Sequence, residues 1–343
     1  MRTVDAIVVG GGPAGSTCAW KLRAAGLDVL LLERSRFPRN KLCAGWITPE
    51  VATDLELDLR DYPASLMTFD ELRVHWKLIG ARIRSKQYSI RRCEFDDFLL
   101  QRANVAVQRH RVREIRSLGH EYVVDDQYRC KYLVGAGGTA CPVYRTLFQR
   151  CNPRLSAFQT ATFEQEFSYD WKEPRCHLWF FDHGLPGYAW YVPKATGYVN
   201  SGLGGMANKL KQQGTSIRQY WRGFVRRLNK QGLVVGDDFE PSGYSYYVRS
   251  SADVVQLGRA YVVGDAAGVA TRDLCEGIGP AVKTGLLAAD SIINGSEYSL
   301  DDVETLSGDG MLSRMLEHKL VGAAGAGLEA RHSPLRGIHN GRH

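Results

Sequence analysis

The chain has 343 residues, a formal net charge of +7, and 44% hydrophobic and 24% charged residues, which is ordinary for a globular protein able to bury a sizeable core. No zinc-finger, RNP-type or basic-helix pattern indicates nucleic-acid binding, and no apolar run reaches the roughly 18 to 20 residues that a membrane span needs. The eight cysteines form no CxxC pair and the first strand starts without a signal peptide, so we expect free thiols and a cytoplasmic location, with peripheral contact at a membrane left open.

The chain opens with a strand, a glycine-rich turn and a helix. Residues 3–9 are rich in β-branched side chains and predict a buried parallel strand. The six residues from Gly10 to Gly15 satisfy G-x-G-x-x-G, and residues 16–25 are typical of a helix closed by Gly26. A second strand then ends in Glu33, about twenty residues beyond the turn. This arrangement predicts a dinucleotide-binding unit.

Each residue type in this turn has a physical role. Gly10 permits the tight turn, Gly12 lets a pyrophosphate approach the backbone, and Gly15 lets helix and strand pack closely. The helix N-terminus offers free N–H groups to the phosphates, and Glu33 would accept hydrogen bonds from the adenosine ribose hydroxyls. The pattern alone does not distinguish FAD from NAD.

Two later segments add glycines and an acid at strand ends. Residues 132–138 form a second apolar run into glycines, and residues 259–268 form a strand that ends at Asp265. An acid at the carboxyl end of a parallel strand lies in the ligand crevice, where it can accept a hydrogen bond from a polyol hydroxyl. Gly277 and Gly279 precede a predicted helix and would offer backbone N–H groups to an electron-rich ring edge.

These segments resemble the flavoproteins built on the p-hydroxybenzoate hydroxylase fold. The resemblance implies that Asp265, within Gly-Asp-Ala-Ala-Gly, holds the ribityl chain of FAD, and that Gly277-Ile278-Gly279 lies against the N1/C2=O side of the isoalloxazine. Residues 92–99 resemble R-x-x-F-D-x-x-L, which implies that Arg92 lies near the FAD phosphates or the flavin. The alternative for Arg92 is a solvated charge at a helix start.

One segment departs from that group. Gly135-Ala136-Gly137-Gly138 stands where many flavin hydroxylases have G-A-D-G. The missing carboxylate argues against a hydroxylase that takes hydride directly from NAD(P)H.

Two further segments resemble the geranylgeranyl reductase family, and the overall resemblance covers roughly residues 1 to 295. The loop at residues 41–49 contains Cys43-Ala44-Gly45, and residues 187–194 carry a Y-x-W-x-(F/V)-P motif. Side chains alternate along a strand, so Tyr188 and Trp190 share one face and could wall an apolar cavity beside the flavin. We therefore predict Cys43, Tyr188 and Trp190 as catalytic residues. The alternatives are rings that only fill the core and a Cys43 that is a small buried hydrophobe.

The predicted cofactor contacts come from all these segments. They are Gly10, Gly12, Pro13, Ala14, Gly15, Glu33, Arg34, Cys43, Ala44, Arg92, Val112, Gly264, Asp265, Gly277, Ile278 and Gly279.

The predicted fold is α/β, with a Rossmann-type FAD-binding domain interleaved with an α+β substrate domain. The FAD-binding domain takes residues 1–60, 85–150 and 251–298, and the substrate domain takes residues 61–84 and 151–250. Residues 299–343 are predicted as a C-terminal helical segment and tail. Residues 215–230 predict an amphipathic helix laid on an antiparallel sheet, with a basic membrane-facing helix as the alternative.

The predicted function is reduction of a C=C bond in an isoprenoid-like or other apolar substrate. Hydride would leave flavin N5, and a proton would come from Cys43, a tyrosine or water. The alternatives are a flavin monooxygenase or halogenase-like enzyme, and a flavin electron carrier without turnover. The electron donor is left open between NAD(P)H and reduced ferredoxin, and the basic charge is compatible with an acidic electron-donor protein. No metal-ligand spacing is found.

Overall fold

The computed structural model describes residues 1–322 except residues 78, 237–238, 251–253 and 309. The helices are α1 (Pro13–Ala24), α2 (Pro49–Asp54), α3 (Arg92–Arg102), α4 (Ala207–Gln212), α5 (Ile217–Lys230), α6 (Ile278–Asn294) and α7 (Met311–Leu320). The strands are β1 (Arg2–Val9), β2 (Val29–Glu33), β3 (Trp46–Ile47), β4 (Met67–Trp76), β5 (Ile79–Ser89), β6 (Ala106–Arg109), β7 (Ile115–Leu118), β8 (Glu121–Val124), β9 (Tyr128–Gly135), β10 (Gln159–Ser168), β11 (Cys176–Phe180), β12 (Gly187–Lys194), β13 (Tyr198–Met206), β14 (Ser242–Tyr247), β15 (Gln256–Leu257) and β16 (Ala260–Val262).

The first sheet is parallel at its centre. Its order is β15-β16-β9-β1-β2-β6, with β8 and β7 added on β9 in antiparallel orientation. Strands β16, β9, β1, β2 and β6 pair in parallel. Strand β2 is buried along its whole length, because α1 and its neighbours cover the sheet. Apolar runs such as residues 29–32 suit strands that are buried on both faces.

The second sheet is curled and mostly antiparallel. Its order is β14-β10-β13-β12-β11-β4-β5-β3, with β11 and β4 paired in parallel. The two sheets together confirm the predicted α/β architecture of a Rossmann-like layer and a second sheet with helices.

Helix α5 packs against the second sheet. A capping box between Ser216 and Gln219 starts the helix. Its buried side chains Trp221, Phe224 and Leu228 join a cluster that includes Phe163 and Trp179 of the sheet. The apolar face of α5 is therefore occupied by the sheet, as expected for a helix laid on it, and contact of its basic face with a membrane stays a prediction. No helix among the described residues is long and apolar enough to cross one.

One strand crosses a predicted domain boundary. Strand β5 runs through the predicted boundary at residues 84 and 85, and β3, from the first predicted segment, pairs with β5 in the second sheet. Within the predicted C-terminal segment, α7 packs through Leu316 and Leu320, and residues 323–343 lie outside the described part of the chain.

Candidate functional site

The turn between β1 and α1 requires glycine at two positions. Gly10 has a φ of +111°, and a Cβ there would lie 2.4 Å from the Ala136 carbonyl oxygen. A Cβ on Gly15 would lie 1.9 Å from the Gly10 carbonyl oxygen. Gly12 caps α1 without a side-chain hydrogen bond, and Pro13 is the first helical residue. The first N–H groups of α1 are therefore not blocked by a side-chain cap.

Glu33 lies at the end of β2, beside this turn. One carboxylate oxygen accepts a hydrogen bond from the Gly11 amide at 2.8 Å, and the other accepts one from the Ser35 amide at 2.8 Å. Each oxygen has a second lone pair for a ligand hydroxyl. Glu33 thus holds the turn in place, and its predicted bonds to a ribose remain a prediction.

A single cavity of about 410 Å³ brings the separate segments together. All three predicted catalytic residues line it, as do the predicted cofactor contacts except Gly15 and Gly279. Gly15 instead serves the packing of α1. Lining residues without a role in the sequence analysis include Arg39, Lys41, Arg111, Arg145, Thr160, Thr162, Glu164, Met206, Tyr244, Tyr246, Leu274, Glu276 and Leu320.

Arg92 begins α3 and is buried rather than solvated. Its guanidinium donates to both carboxylate oxygens of Asp96, at 2.7 and 2.9 Å, one helical turn later. Arg39 adds a contact to Asp96 at 3.3 Å, and the Cys43 sulfur is a further partner of Arg92. The bidentate pair fixes the guanidinium at the cavity wall.

Asp265 lies where β16 ends, as predicted for the carboxyl end of a parallel strand. Its side chain accepts a hydrogen bond from the Tyr244 hydroxyl at 3.1 Å. The Lys41 ammonium lies 3.1 Å from the centre of the Tyr244 ring. Burial lowers the pKa of Lys41 to about 8, against the carboxylate of Asp265, which raises it. This part of the cavity thus combines an anion, a cation and a phenol.

At the start of α6, a carboxylate binds one of the backbone amides. The Glu276 carboxylate accepts a hydrogen bond from the Gly279 amide at 2.9 Å, and Gly279 does not line the cavity. This amide is therefore bonded within the chain, and the role expected for Gly279 at a ring edge stays a prediction. Gly277 and Ile278 do line the cavity.

The loop of Cys43, Ala44 and Gly45 is held by two polar side chains from the second sheet. Lys194 is fully buried and donates to the carbonyl oxygens of Ala44 and, at 2.7 Å, Gly45. Asn200 donates to the Cys43 carbonyl oxygen at 3.0 Å. Burial lowers the pKa of Lys194 to about 8. Strands β12 and β13 thereby set the position of the Cys43 sulfur.

Tyr188 and Trp190 form part of the cavity wall. The Trp190 indole donates to the Asn200 side-chain oxygen at 2.7 Å and lies over Gly202, where a Cβ would be 2.4 Å from the ring. The Tyr188 hydroxyl donates to the Leu274 carbonyl oxygen. Both rings belong to an apolar cluster and also line the cavity. They therefore fill the core on one side and form the cavity wall on the other.

Replacing Lys194 by methionine is expected to lower the free energy of unfolding by about 1–3 kcal/mol, because two buried carbonyl oxygens lose their donor. Chemical denaturation measures the change. Lys172→Met, which removes an exposed lysine paired with Asp170, is the matched control and should stay within about 0.5 kcal/mol of the parent. Equal stability of the two variants would show that Lys194 does not hold the loop.

The cavity fits FAD. The uncapped α1 and the side-chain-free face of Gly12 leave room for a pyrophosphate, since a Cβ on Gly12 would meet only the end of Arg39 at 3.6 Å. Glu33 and Asp265 line the cavity with acceptor oxygens, and Arg34, Arg39 and Arg92 supply positive charge. The lining therefore offers the acceptors, the positive charge and the backbone room that a dinucleotide needs.

Comparisons with known proteins agree with this geometry. Residues 5–290 match the model of the FAD dependent oxidoreductase family. The chain is 27% identical over 315 residues to the menaquinone reductase of Mycobacterium tuberculosis, covering 84% of this chain and 76% of that protein. It is 30% identical over 218 residues to digeranylgeranylglycerophospholipid reductase 1 of Methanopyrus kandleri, covering 58% and 57%.

Solved structures show the same fold. A geranylgeranyl bacteriochlorophyll reductase-like protein from Thermoplasma acidophilum superimposes with a TM-score of 0.75 at 18% identity, covering 96% of this chain and 88% of that chain. A flavin-dependent brominase superimposes with a TM-score of 0.67 at 19% identity, covering 87% and 81%. The fold alone thus accommodates more than one flavin reaction.

Proposed function

The chain belongs to the FAD dependent oxidoreductase family, and we propose that it uses FAD to reduce C=C bonds in an isoprenoid-like or other apolar substrate. The family membership supports FAD as the cofactor and oxidoreduction as the reaction class. The substrate class is carried by the apolar end of the cavity and is supported by the reductases among the relatives.

The apolar end of the cavity is the observation on which this proposal depends. Tyr188, Trp190, Met206, Leu274 and Leu320 contribute to its lining. These side chains lie in the same cavity as the predicted dinucleotide contacts and the Cys43 loop. A cavity walled by aromatic and aliphatic side chains favours an apolar ligand and excludes water from the reacting atoms.

When bound, FAD supplies the hydride chemistry of such a reaction. The protein's own residues bind and orient the cofactor and the substrate. The turn at Gly10 and Gly12 accommodates the phosphates, and Asp265 accepts from hydroxyl groups. Lys194 and Asn200 hold the Cys43 loop, while Tyr188 and Trp190 hold the apolar substrate. The proposed electron donor is either NAD(P)H or a reduced ferredoxin-like acidic protein.

Anaerobic photoreduction followed by a screen of unsaturated lipids tests the proposal. An apolar alkene that is a substrate should reoxidise the flavin and yield the saturated product, both measured in the same vessel. Oxygenated or halogenated products formed only in air would instead support the monooxygenase or halogenase alternative. Electron transfer to a partner protein with no reduced lipid would support the electron-carrier alternative.

Replacing Cys43 by alanine should leave FAD binding intact and lower turnover by about tenfold or more, or change the product, because the sulfur borders the reacting region. Flavin content and steady-state kinetics measure the two effects separately. Cys151→Ala, at an exposed cysteine, is the control and should retain turnover. If Cys43→Ala retains full turnover with the same product, Cys43 has only a packing role.

A further inference from the structure

The cavity contains a buried acid that the proposed function does not yet use. Glu164 lies on β10, lines the cavity and is only 2% exposed. Thr160 and Thr162 lie on the same face of the strand and also line the cavity. Because burying a carboxyl group is costly, an acid at such a position indicates a function rather than packing.

The backbone opposite Glu164 is built to admit it. Gly202 of β13 pairs directly with Glu164, and a Cβ at Gly202 would lie 2.5 Å from the Glu164 Cβ and 2.4 Å from the Trp190 ring. Only glycine at this position leaves room for both side chains. Glu164 and the indole of Trp190 therefore share one side of the cavity.

Asn200 connects Glu164 to the Cys43 loop. Its side-chain amide donates to Glu164 at 3.3 Å and to the Cys43 carbonyl oxygen at 3.0 Å, while its oxygen accepts from Trp190 at 2.7 Å. One amide thus fixes the position of the acid relative to the Cys43 loop and the wall of the apolar region.

The surroundings of Glu164 bring the pKa of its carboxyl group close to neutral pH. Burial raises the pKa of Glu164 to about 7, although the Asn200 hydrogen bond and the cations Lys41, Lys194 and Arg92 lower it. The pKa of Lys41 is about 8 because of its own burial. Tyr244, whose ring lies under Lys41, and Tyr246 are titratable groups of β14 that line the same cavity. A group whose pKa is close to the working pH is suited to proton transfer.

Four other proton donors of the cavity are less suited to this role. The hydroxyls of Tyr188 and Tyr246 donate to backbone carbonyl oxygens, and burial raises the pKa of both well above the ordinary value. Burial raises the pKa of Cys275 to about 12. Burial also raises the pKa of Glu276 to about 7, but this carboxylate caps the start of α6 through the Gly279 amide.

We propose that Glu164 is the general acid of the cavity. The inference rests on the proposed reduction of an alkene. In that step the π bond breaks, one carbon receives a hydride from the reduced flavin, and the other carbon receives the proton of the Glu164 carboxyl group. The resulting carboxylate regains a proton from solvent before the next turnover.

The pH dependence of turnover tests this role. The acid must be protonated to act, so the wild-type rate should fall as the pH rises through about 7. Glu164→Gln should lower kcat by about 100-fold and abolish this decline, while FAD content stays unchanged. Glu166→Gln is the matched control, because Glu166 lies on the same face of β10, pairs with Arg91 at 2.8 Å and does not line the cavity.

Two further variants separate Glu164 from its neighbours. Cys43→Ala should lower the rate but keep the decline above about pH 7, because the acid is still present. Glu276→Gln should also keep it. If Glu276→Gln abolishes the decline and Glu164→Gln retains it, the assignment to Glu164 is wrong.

Infrared difference spectroscopy gives a readout that requires neither substrate nor reductant. The wild-type protein should lose a protonated-carboxyl band between about pH 6 and pH 8, and Glu164→Gln should lack that contribution. An unchanged band in Glu164→Gln would overturn the proposal. A wild-type protein that shows the Glu164 band but reduces no alkene contradicts the proposed function, and not the assignment of Glu164 as the neutral carboxyl group of the cavity.

Discussion

Asp265→Ala is expected to fold and to be purified largely without flavin. Asp265 is the acid predicted to accept from the ribityl hydroxyls, and its side chain also receives the Tyr244 hydroxyl. A hydrogen bond to a charged group contributes about 1.5–3 kcal/mol, so FAD affinity should fall by about 10- to 100-fold. The ratio of flavin to protein absorbance and titration of the apoprotein with FAD measure the loss.

Two comparison variants make this result specific. Asp265→Asn keeps one acceptor oxygen and should bind FAD with intermediate affinity. Glu297→Ala removes an exposed carboxylate shortly after α6 and should leave the flavin content unchanged. A fully yellow Asp265→Ala protein would remove Asp265 from the cofactor site.

Gly15→Ala should have the largest effect on folding. The added methyl group would lie 1.9 Å from the Gly10 carbonyl oxygen and 2.9 Å from the Ala136 side chain. Neither neighbour is a flexible side-chain end, so the backbone of β1 or α1 must shift. We expect the free energy of unfolding to fall by about 3 kcal/mol or more, with loss of FAD binding. Chemical denaturation and flavin content measure these effects.

Gly223→Ala is the matched control for this substitution. Gly223 lies inside α5, and a Cβ there would meet no atom within 4 Å. The same chemical change should therefore raise the free energy of unfolding by about 0.4–1 kcal/mol, because the unfolded chain loses conformational freedom. A Gly15→Ala protein as stable as the parent would show that the turn tolerates a side chain.

The parts of the site that could be predicted from the sequence are those built by neighbouring residues. The segment from Gly10 to Gly15 connects β1 to the first turn of α1 as predicted, because its shape depends on short-range backbone constraints. Asp265 lies just after β16 because an apolar strand followed by an acid and small residues specifies its own end. The pattern of alternation also placed Tyr188 and Trp190 on one wall of the cavity.

The rest depends on contacts between residues far apart in the chain. Lys194 reaches a loop 149 residues away, and Asn200 reaches Cys43 across 157 residues. No local pattern reports such contacts. The alternation of Thr160, Thr162 and Glu164 was a usable signal, since an acid on the inward face of a strand is unusual. The bond between Glu276 and Gly279 was missed because a motif describes backbone shape and not which side chain satisfies its amides.

Strand β5 has a consequence for how the protein can be divided. It begins far out in the second sheet, pairs with β3 at its end, and leads within a few residues into α3, whose first residue Arg92 lies at the cavity wall. A cut anywhere along this strand would remove hydrogen bonds between strands of the second sheet. It would also release α3 and with it Arg92, a predicted cofactor contact. We therefore expect the two layers to unfold together and neither to fold when expressed alone.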